Sequence, residues 1–332
     1  MQFDYGIGIL GTGQYLPGII ETNEQLCKNI PDITPEWIVT KTGITQRYIA
    51  EKEETASNMA LQASLKAIEE AGIFSNEIGL IIGCTFSHDY QFPPLSAKIQ
   101  KELKAKDAQV FDIQANCSGF QTGLTVASDR MFLDSSIKYA LVIGVELQTR
   151  FSNRTNFETA IFLSDGAGAV ILGKVDSNYG ILNSYFFADT STYESVRLRG
   201  GGSSYPSNGR EFNERIDFME MNGLATWKQA ITNLPITIKK ILLKTNLSIE
   251  DIDIVLFHQA NLNLIHYVLK KMKIPIEKTY TNVERIGNTA SASLAIVLCE
   301  AISKGRIKRN NLVLTATVGA GFIYGASIWR WQ

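Results

Sequence analysis

Paired cysteines are missing from this chain. Its four cysteines, Cys27, Cys84, Cys117 and Cys299, form no Cys-x-x-Cys pair and are widely and unevenly spaced. That spacing suits neither a zinc site nor a disulfide framework, and free thiols point to a reducing compartment. No apolar run approaches the ~18 residues needed to cross a bilayer. The opening Met-Gln-Phe-Asp-Tyr has no basic stretch followed by an apolar one, so no signal peptide is expected and the cytoplasm is the expected location. A charge excess is missing too, with Lys+Arg at 32 and Asp+Glu at 33. A net charge of −1 gives no global field to attract nucleic acid or a membrane, so any basic docking surface is a local patch. Hydrophobic residues at 45% and charged residues at 20% are ordinary for a globular enzyme. The 332 residues suit two fused halves of about 165 each.

The chain alternates strand and helix patterns. Tyr5–Leu10 reads as a strand, Thr55–Ala71 as a helix closed by Gly72, and Ile78–Cys84 as a strand buried on both faces. Ser96–Leu103 follows as a helix, Val110–Ile113 as a strand and Ser118–Phe132 as a helix, with strands at Tyr139–Val145 and Ala167–Leu172. From about Ser191 to Arg210 the composition shifts to Gly, Ser and Tyr, with Gly200-Gly201-Gly202-Ser203-Ser204 as a surface excursion. The pattern then repeats: helix Ala225–Leu243, strand Ile254–Phe257, helix Leu262–Met272, helix Ala290–Ser303 and strand Leu312–Val318. Glu77–Ile81 aligns with Asp251–Val255, and Cys117 and Asn288 follow at similar distances, each opening a helix. We read two copies of one mixed-sheet α/β unit, residues 1–178 and 179–332, whose strand ends meet at a shared site.

Four segments carry candidate chemistry. Asp112–Phe120 places Cys117 at a helix start, where the helix dipole favours the thiolate and lowers the thiol pKa; a buried structural cysteine would present the same pattern. His258, in Phe257-His258-Gln259-Ala260-Asn261, ends an apolar strand and is one of three histidines, with His88 and His266. Asn288, in Gly287-Asn288-Thr289, suits a helix cap as well as a functional amide. Gly319-Ala320-Gly321-Phe322 is a small-residue turn able to aim backbone N–H groups at an oxyanion. Gly6–Gly11 satisfies G-x-G-x-x-G, but Thr12–Pro17 do not open a helix, so a dinucleotide fingerprint is set aside.

Together these segments resemble the β-ketoacyl-ACP synthase III family of thiolase-fold condensing enzymes. Further matching stretches are Glu36–Ile44 and Ser164–Val170. The resemblance implies a thiolase-like α/β fold of five layers and a Cys117–His258–Asn288 triad, with the N–H groups of Cys117 and Ala320 as oxyanion hole. It implies 3-oxoacyl-ACP synthase activity, a decarboxylative condensation of an acyl thioester with malonyl-ACP through acyl-Cys117. The pathway would be fatty-acid initiation or a specialised acyl-chain route. No metal or other cofactor is implied, and the partners would be acyl carrier protein (ACP), an acyl-CoA or acyl-ACP donor and a second copy of the chain. The alternatives are a non-condensing thiolase-fold acyltransferase and a ketosynthase of secondary metabolism.

By the same resemblance, Trp37 would stack the CoA adenine, while Lys41, Phe157 and Leu224 stand where the family carries Arg, Arg and Asn; Gly223 adjoins this shell. Asn263 stands where an Arg is usual. Lys228, Lys270 and Lys271 match lysines that dock the carrier protein, and Asn263 falls in that docking set. Phe92 matches a residue that caps the partner's acyl tunnel across a homodimer. A weakened nucleotide shell with retained lysines favours a carrier-protein donor.

Overall fold

The computed structural model describes residues 4–332; Met1–Phe3, part of the stretch read for a signal peptide, lie outside the described residues. Chain order runs from β1 (Tyr5–Tyr15) through a hairpin of β2 (Ile19–Thr22) and β3 (Gln46–Ile49) to β4 (Ile78–Cys84), β5 (Gln109–Ile113), β6 (Tyr139–Glu146) and β7 (Gly166–Asp176). β8 (Gly180–Ala188) precedes a short pair, β9 (Val196–Arg197) and β10 (Glu220–Met221), followed by β11 (Ile254–Phe257), β12 (Leu312–Gly319) and β13 (Ile323–Arg330).

The first sheet has the order β1-β7-β6-β4-β5, and the second β11-β12-β13-β8. In the first, β4 runs parallel to β5 and β6, while β6–β7 and β7–β1 are antiparallel. In the second, β11 and β12 are parallel, while β12–β13 and β13–β8 are antiparallel. Read from β8, the second sheet repeats the first strand for strand; its fifth position shrinks to a parallel bridge between Val255 and Thr279.

Helices Gly119–Leu133 and Ala292–Ser303 lie between the sheets, Ala56–Ala71 and Leu95–Leu103 cover the outer face of the first, and Gly223–Thr245 with Leu262–Met272 cover the second. Strand alternation serves both neighbours. Ala140 and Val142 of β6 join Phe120, Leu124 and Leu298 in the central cluster, while Leu141, Ile143 and Val145 pack outward with Met59, Ala63 and Ile99.

Local chemistry explains most element ends. Thr55 caps the Ala56–Ala71 helix by accepting from the Asn58 N–H, and Gly72 closes it in the left-handed region at φ 65°. Several boundaries differ from the sequence pattern: the strand read as Ala167–Leu172 runs Gly166–Asp176, and the helix read as Ala225–Leu243 runs Gly223–Thr245. β1 continues through Gly11 and Gly13 to Tyr15, because residues 11–15 pair with β7. The last helix starts at Ala292 instead of Ala290, since Ala290 takes φ 44° and breaks the helical run. No helix among the described residues is long and apolar enough to cross a membrane.

Candidate active site

β5 leads into a 3-10 turn, Asn116–Ser118, and then the Gly119–Leu133 helix. The chain bends because Asn116 adopts left-handed backbone, φ 48°, which asparagine tolerates. The Asn116 side-chain amide donates to the Ala320 carbonyl at 2.9 Å, and the Ser118 hydroxyl donates to the Ile323 carbonyl at 2.9 Å. The Cys117 turn is thus fastened to the β12–β13 turn of the other half. Gly319 permits that approach: a Cβ there would lie 2.6 Å from the Ala115 carbonyl oxygen and 3.3 Å from the Cys117 nitrogen. No backbone carbonyl outside the helices and strands takes up the N–H of Cys117 or of Ala320 among the described residues, and the Cys117 N–H instead reaches its own thiol.

The thiol does not have the depressed pKa expected from its place at a helix start. Burial pushes it up to about 12, the Glu146 carboxyl adds to the rise, and the residue's own N–H opposes it without prevailing. Cys84, Cys27 and Cys299 are also raised by burial. Iodoacetamide should therefore alkylate Cys117 of the free protein slowly at neutral pH. Its rate should climb about tenfold per pH unit with no plateau below pH 10; peptide mass mapping across pH checks this, and a plateau near pH 7 would restore the activated-thiolate picture.

His258 follows β11 directly, its N–H donating to the Ala316 carbonyl at 2.9 Å. The ring is buried at 5% exposure, with Nδ1 2.5 Å from Ser293 Oγ. Burial pushes its pKa down to about 3, so the imidazole is neutral at working pH.

Asn288 sits in a loop pinned on both sides. Its N–H donates to the Phe162 carbonyl at 2.9 Å, and its carbonyl accepts from the Ser164 N–H at 2.9 Å and from the Gln148 side-chain amide. Gly287, at φ 82°, admits this contact, since a Cβ there would lie 3.0 Å from that of Ser164. Asn288 Oδ1 accepts from the Ala290 N–H at 2.8 Å, an Asx turn that accounts for the late helix start. Oδ1 is thereby occupied, and among the described residues no hydrogen-bond acceptor takes up Nδ2.

These segments converge. A Cβ on Gly119 would lie 3.7 Å from that of Ser291, and two residues on, Ser293 holds His258. Ser291 in turn donates toward Glu146 Oε1 at 2.8 Å. Glu146, at the end of β6, is fully buried, and also accepts from the Ser87 hydroxyl at 2.7 Å and the Phe86 N–H at 3.3 Å. Desolvation nevertheless pushes its pKa up to about 8. Asn116, Glu146, Gln148, Ser291 and Ser293 were not singled out from the sequence. A Glu ending an apolar strand, and hydroxyls clustered at a helix start, were the available signals.

The raised Glu146 pKa has a consequence for stability. Its folded value, about 8, lies above the ordinary 4.5, so the unfolded chain releases this proton first as pH rises. Its contribution is complete below the ordinary value and declines until about pH 8, by at most about 1.4 kcal/mol per pH unit. Urea unfolding between pH 6.5 and 8 should show the decline in the wild type and a flatter profile in Glu146→Gln; parallel profiles would contradict it.

The outer shell is also partly assembled. Trp37 packs edge-to-face against Phe157, centroids 5.7 Å apart, and Lys41 Nζ lies 5.9 Å from the Trp37 ring. Gly223 opens the Gly223–Thr245 helix after the Asn222 cap, and Leu224 is exposed. Lys228 and Lys270 are exposed, but Lys271 donates to the Ile231 carbonyl at 2.9 Å. Asn263 donates to the Thr40 carbonyl at 2.8 Å and so ties two helices together. Phe92 is 82% exposed, and neighbouring Gln91 donates to the Gly201 carbonyl at 2.5 Å, anchoring the glycine-rich excursion.

Comparison with known proteins identifies the family. Residues 111–190 match the 3-oxoacyl-[acyl-carrier-protein] synthase III family and residues 242–331 match its C-terminal region. A β-ketoacyl-[acyl-carrier-protein] synthase III of Caldanaerobacter subterraneus is 37% identical, over 98% of either chain. The crystal structure of a 3-oxoacyl-[acyl-carrier-protein] synthase III from Aquifex aeolicus superposes at a TM-score of 0.89 with 35% identity, over 98% of this chain and 100% of that one. The priming β-ketosynthase of the R1128 polyketide pathway reaches 0.91 with 28% identity, over 100% of this chain and 98% of that one. The Cys117 turn, the His258 strand end and the pinned Asn288 loop are thus held on a thiolase-type fold, and the chain belongs to the 3-oxoacyl-[acyl-carrier-protein] synthase III family of condensing acyltransferases.

Proposed function

We propose that Cys117, His258 and Asn288 carry out a decarboxylative condensation of an acyl thioester with malonyl-ACP. The observation that carries it is the Asn288 amide. Its Oδ1 is held by the Ala290 N–H, which leaves the Nδ2 N–H to donate to a developing enolate oxygen. An enzyme limited to acyl transfer has no use for that donor.

Cys117 attacks the acyl thioester; its proton ends on the departing thiol, and the acyl group ends on sulfur. The Cys117 and Ala320 N–H groups hold the tetrahedral oxyanion. A malonyl thioester then binds with its carbonyl against Asn288 and His258. Loss of CO₂ leaves an enolate whose carbon attacks acyl-Cys117. The 3-oxoacyl thioester departs, Cys117 is released as thiolate, and the sulfur takes a proton from water, which its raised pKa favours. Decarboxylation drives C–C bond formation, so this chemistry calls for no metal or redox cofactor. Residues 1–178 would supply the thiol, 179–332 its two partners, and a second copy would receive Phe92, an aromatic otherwise costly to expose.

A carrier-protein donor fits the outer shell. Phe157 brings no charge to a nucleotide, and Lys41 lacks the fork of an Arg. Each lost charge-assisted hydrogen bond costs about 1.5–3 kcal/mol, roughly ten- to a hundredfold in affinity. With the same acyl group on both, kcat/KM should favour ACP over CoA at least tenfold. Lys228→Glu with Lys270→Glu should lower the ACP value several-fold and spare the CoA value. A preference for acetyl-CoA would point instead to an ordinary initiating synthase. The fit to the R1128 priming ketosynthase favours, as a second reading, service to a dedicated acyl-chain pathway.

A further inference from the structure

The geometry points to Ser293 as a positioning residue that fixes the His258 tautomer, with the ring proton on Nε2. This inference deepens the proposed reading and rests on it only for its kinetic consequence.

Ser293 is buried at 2% exposure in the first turn of the Ala292–Ser303 helix. Its Oγ accepts from the Gln259 N–H at 3.2 Å and lies 2.5 Å from His258 Nδ1. No other partner of this hydroxyl occurs among the described residues. A hydroxyl has one proton to place. If Nδ1 carried the ring proton, Oγ would accept twice and its own proton would be buried without an acceptor, which is strongly disfavoured. If Nδ1 is bare, every group is satisfied: the Gln259 N–H donates to Oγ, and Oγ–H donates to Nδ1. The proton then sits on Nε2.

Gln259 is itself immobile. Its side-chain amide donates to the Phe257 carbonyl at 2.8 Å, while its Oε1 accepts from the Asn282 and Val283 N–H groups at 3.1 and 3.3 Å. The donor that orients Ser293 is therefore rigid. The consequence is directional: His258 offers an N–H donor, as enolate stabilisation requires, and no lone pair to a thiol. Tautomer choice thus separates the malonyl step from the acylation step.

The test has a spectroscopic and a kinetic arm. Long-range ¹H–¹⁵N correlation of histidine-labelled protein resolves three rings, and His258→Ala identifies the one of interest. The wild type should show the Nε2–H pattern, and Ser293→Ala a mixture with Nδ1–H. Ser293→Ala should lower kcat for malonyl-ACP decarboxylation about tenfold to a hundredfold with KM changed far less, while Ser293→Thr restores both tautomer and rate. An Nδ1–H ring in the wild type, or an unchanged pattern in Ser293→Ala, overturns the inference whatever the enzyme's activity. An Nε2–H ring in a protein that does not decarboxylate malonyl-ACP leaves the tautomer assignment standing and removes the proposed function instead.

Discussion

Cys117→Ala is expected to abolish condensation, by at least about 10⁴-fold, while malonyl-ACP decarboxylation persists. The two activities separate because they use different parts of the site. In the proposed mechanism, acyl transfer needs the sulfur and the Cys117 and Ala320 N–H groups. Decarboxylation needs donors to an enolate, and both are anchored elsewhere: Asn288 by the Ala290 N–H, the Phe162 carbonyl and the Ser164 N–H, His258 by Ser293 and β12. Removing one sulfur disturbs neither anchor. Quantifying CO₂ and 3-oxoacyl-ACP in parallel gives the answer. Loss of both in a folded variant would show that the thiol takes part in decarboxylation, and retained condensation would displace Cys117 from the mechanism.

Asn288→Asp is the complementary change. The carboxylate still accepts from the Ala290 N–H, so the turn and the late helix start survive. Where Nδ2 donated, the variant presents a negative oxygen to a developing enolate. Decarboxylation should fall about 10²–10³-fold, the scale of losing one oxyanion donor. Acylation of Cys117, read by intact mass after brief exposure to an acyl thioester, should change less than tenfold on the same grounds. Equal losses in both steps would assign Asn288 to the thiol instead of the enolate.

Much of the architecture is legible in the chain because its strands are strongly patterned. Ile78–Cys84, Ile254–Phe257 and Leu312–Gly319 are nearly continuous apolar runs, as strands covered on both faces must be. β8 and β13 are harder to see: Gly180–Ala188 is only half-buried and carries Asn183 and Ser184, and Ile323–Arg330 is interrupted by Gly325 and Ser327. Their pairing with each other and with β12 overrides local preference.

The site divides in the same way. Cys117, His258 and Asn288 stand at element ends, where a strand pattern stops and small residues begin. What supports them is non-local. Asn116 reaches Ala320, Gln148 reaches Asn288, and Ser293 reaches His258, across separations that no periodicity encodes. The thiol pKa was misjudged for a related reason. A helix start is visible in sequence, but the burial that raises the thiol pKa is a property of the assembled layers.

The account stands most directly on a single-turnover mass measurement. The protein is incubated with an acyl thioester, desalted, and digested to locate the adduct; the remainder is chased with malonyl-ACP. One acyl group per chain should appear on the Cys117 peptide, and malonyl-ACP should clear it while releasing one CO₂ and one 3-oxoacyl-ACP per adduct. An adduct on another residue, or an acyl-Cys117 that malonyl-ACP leaves in place, would contradict it.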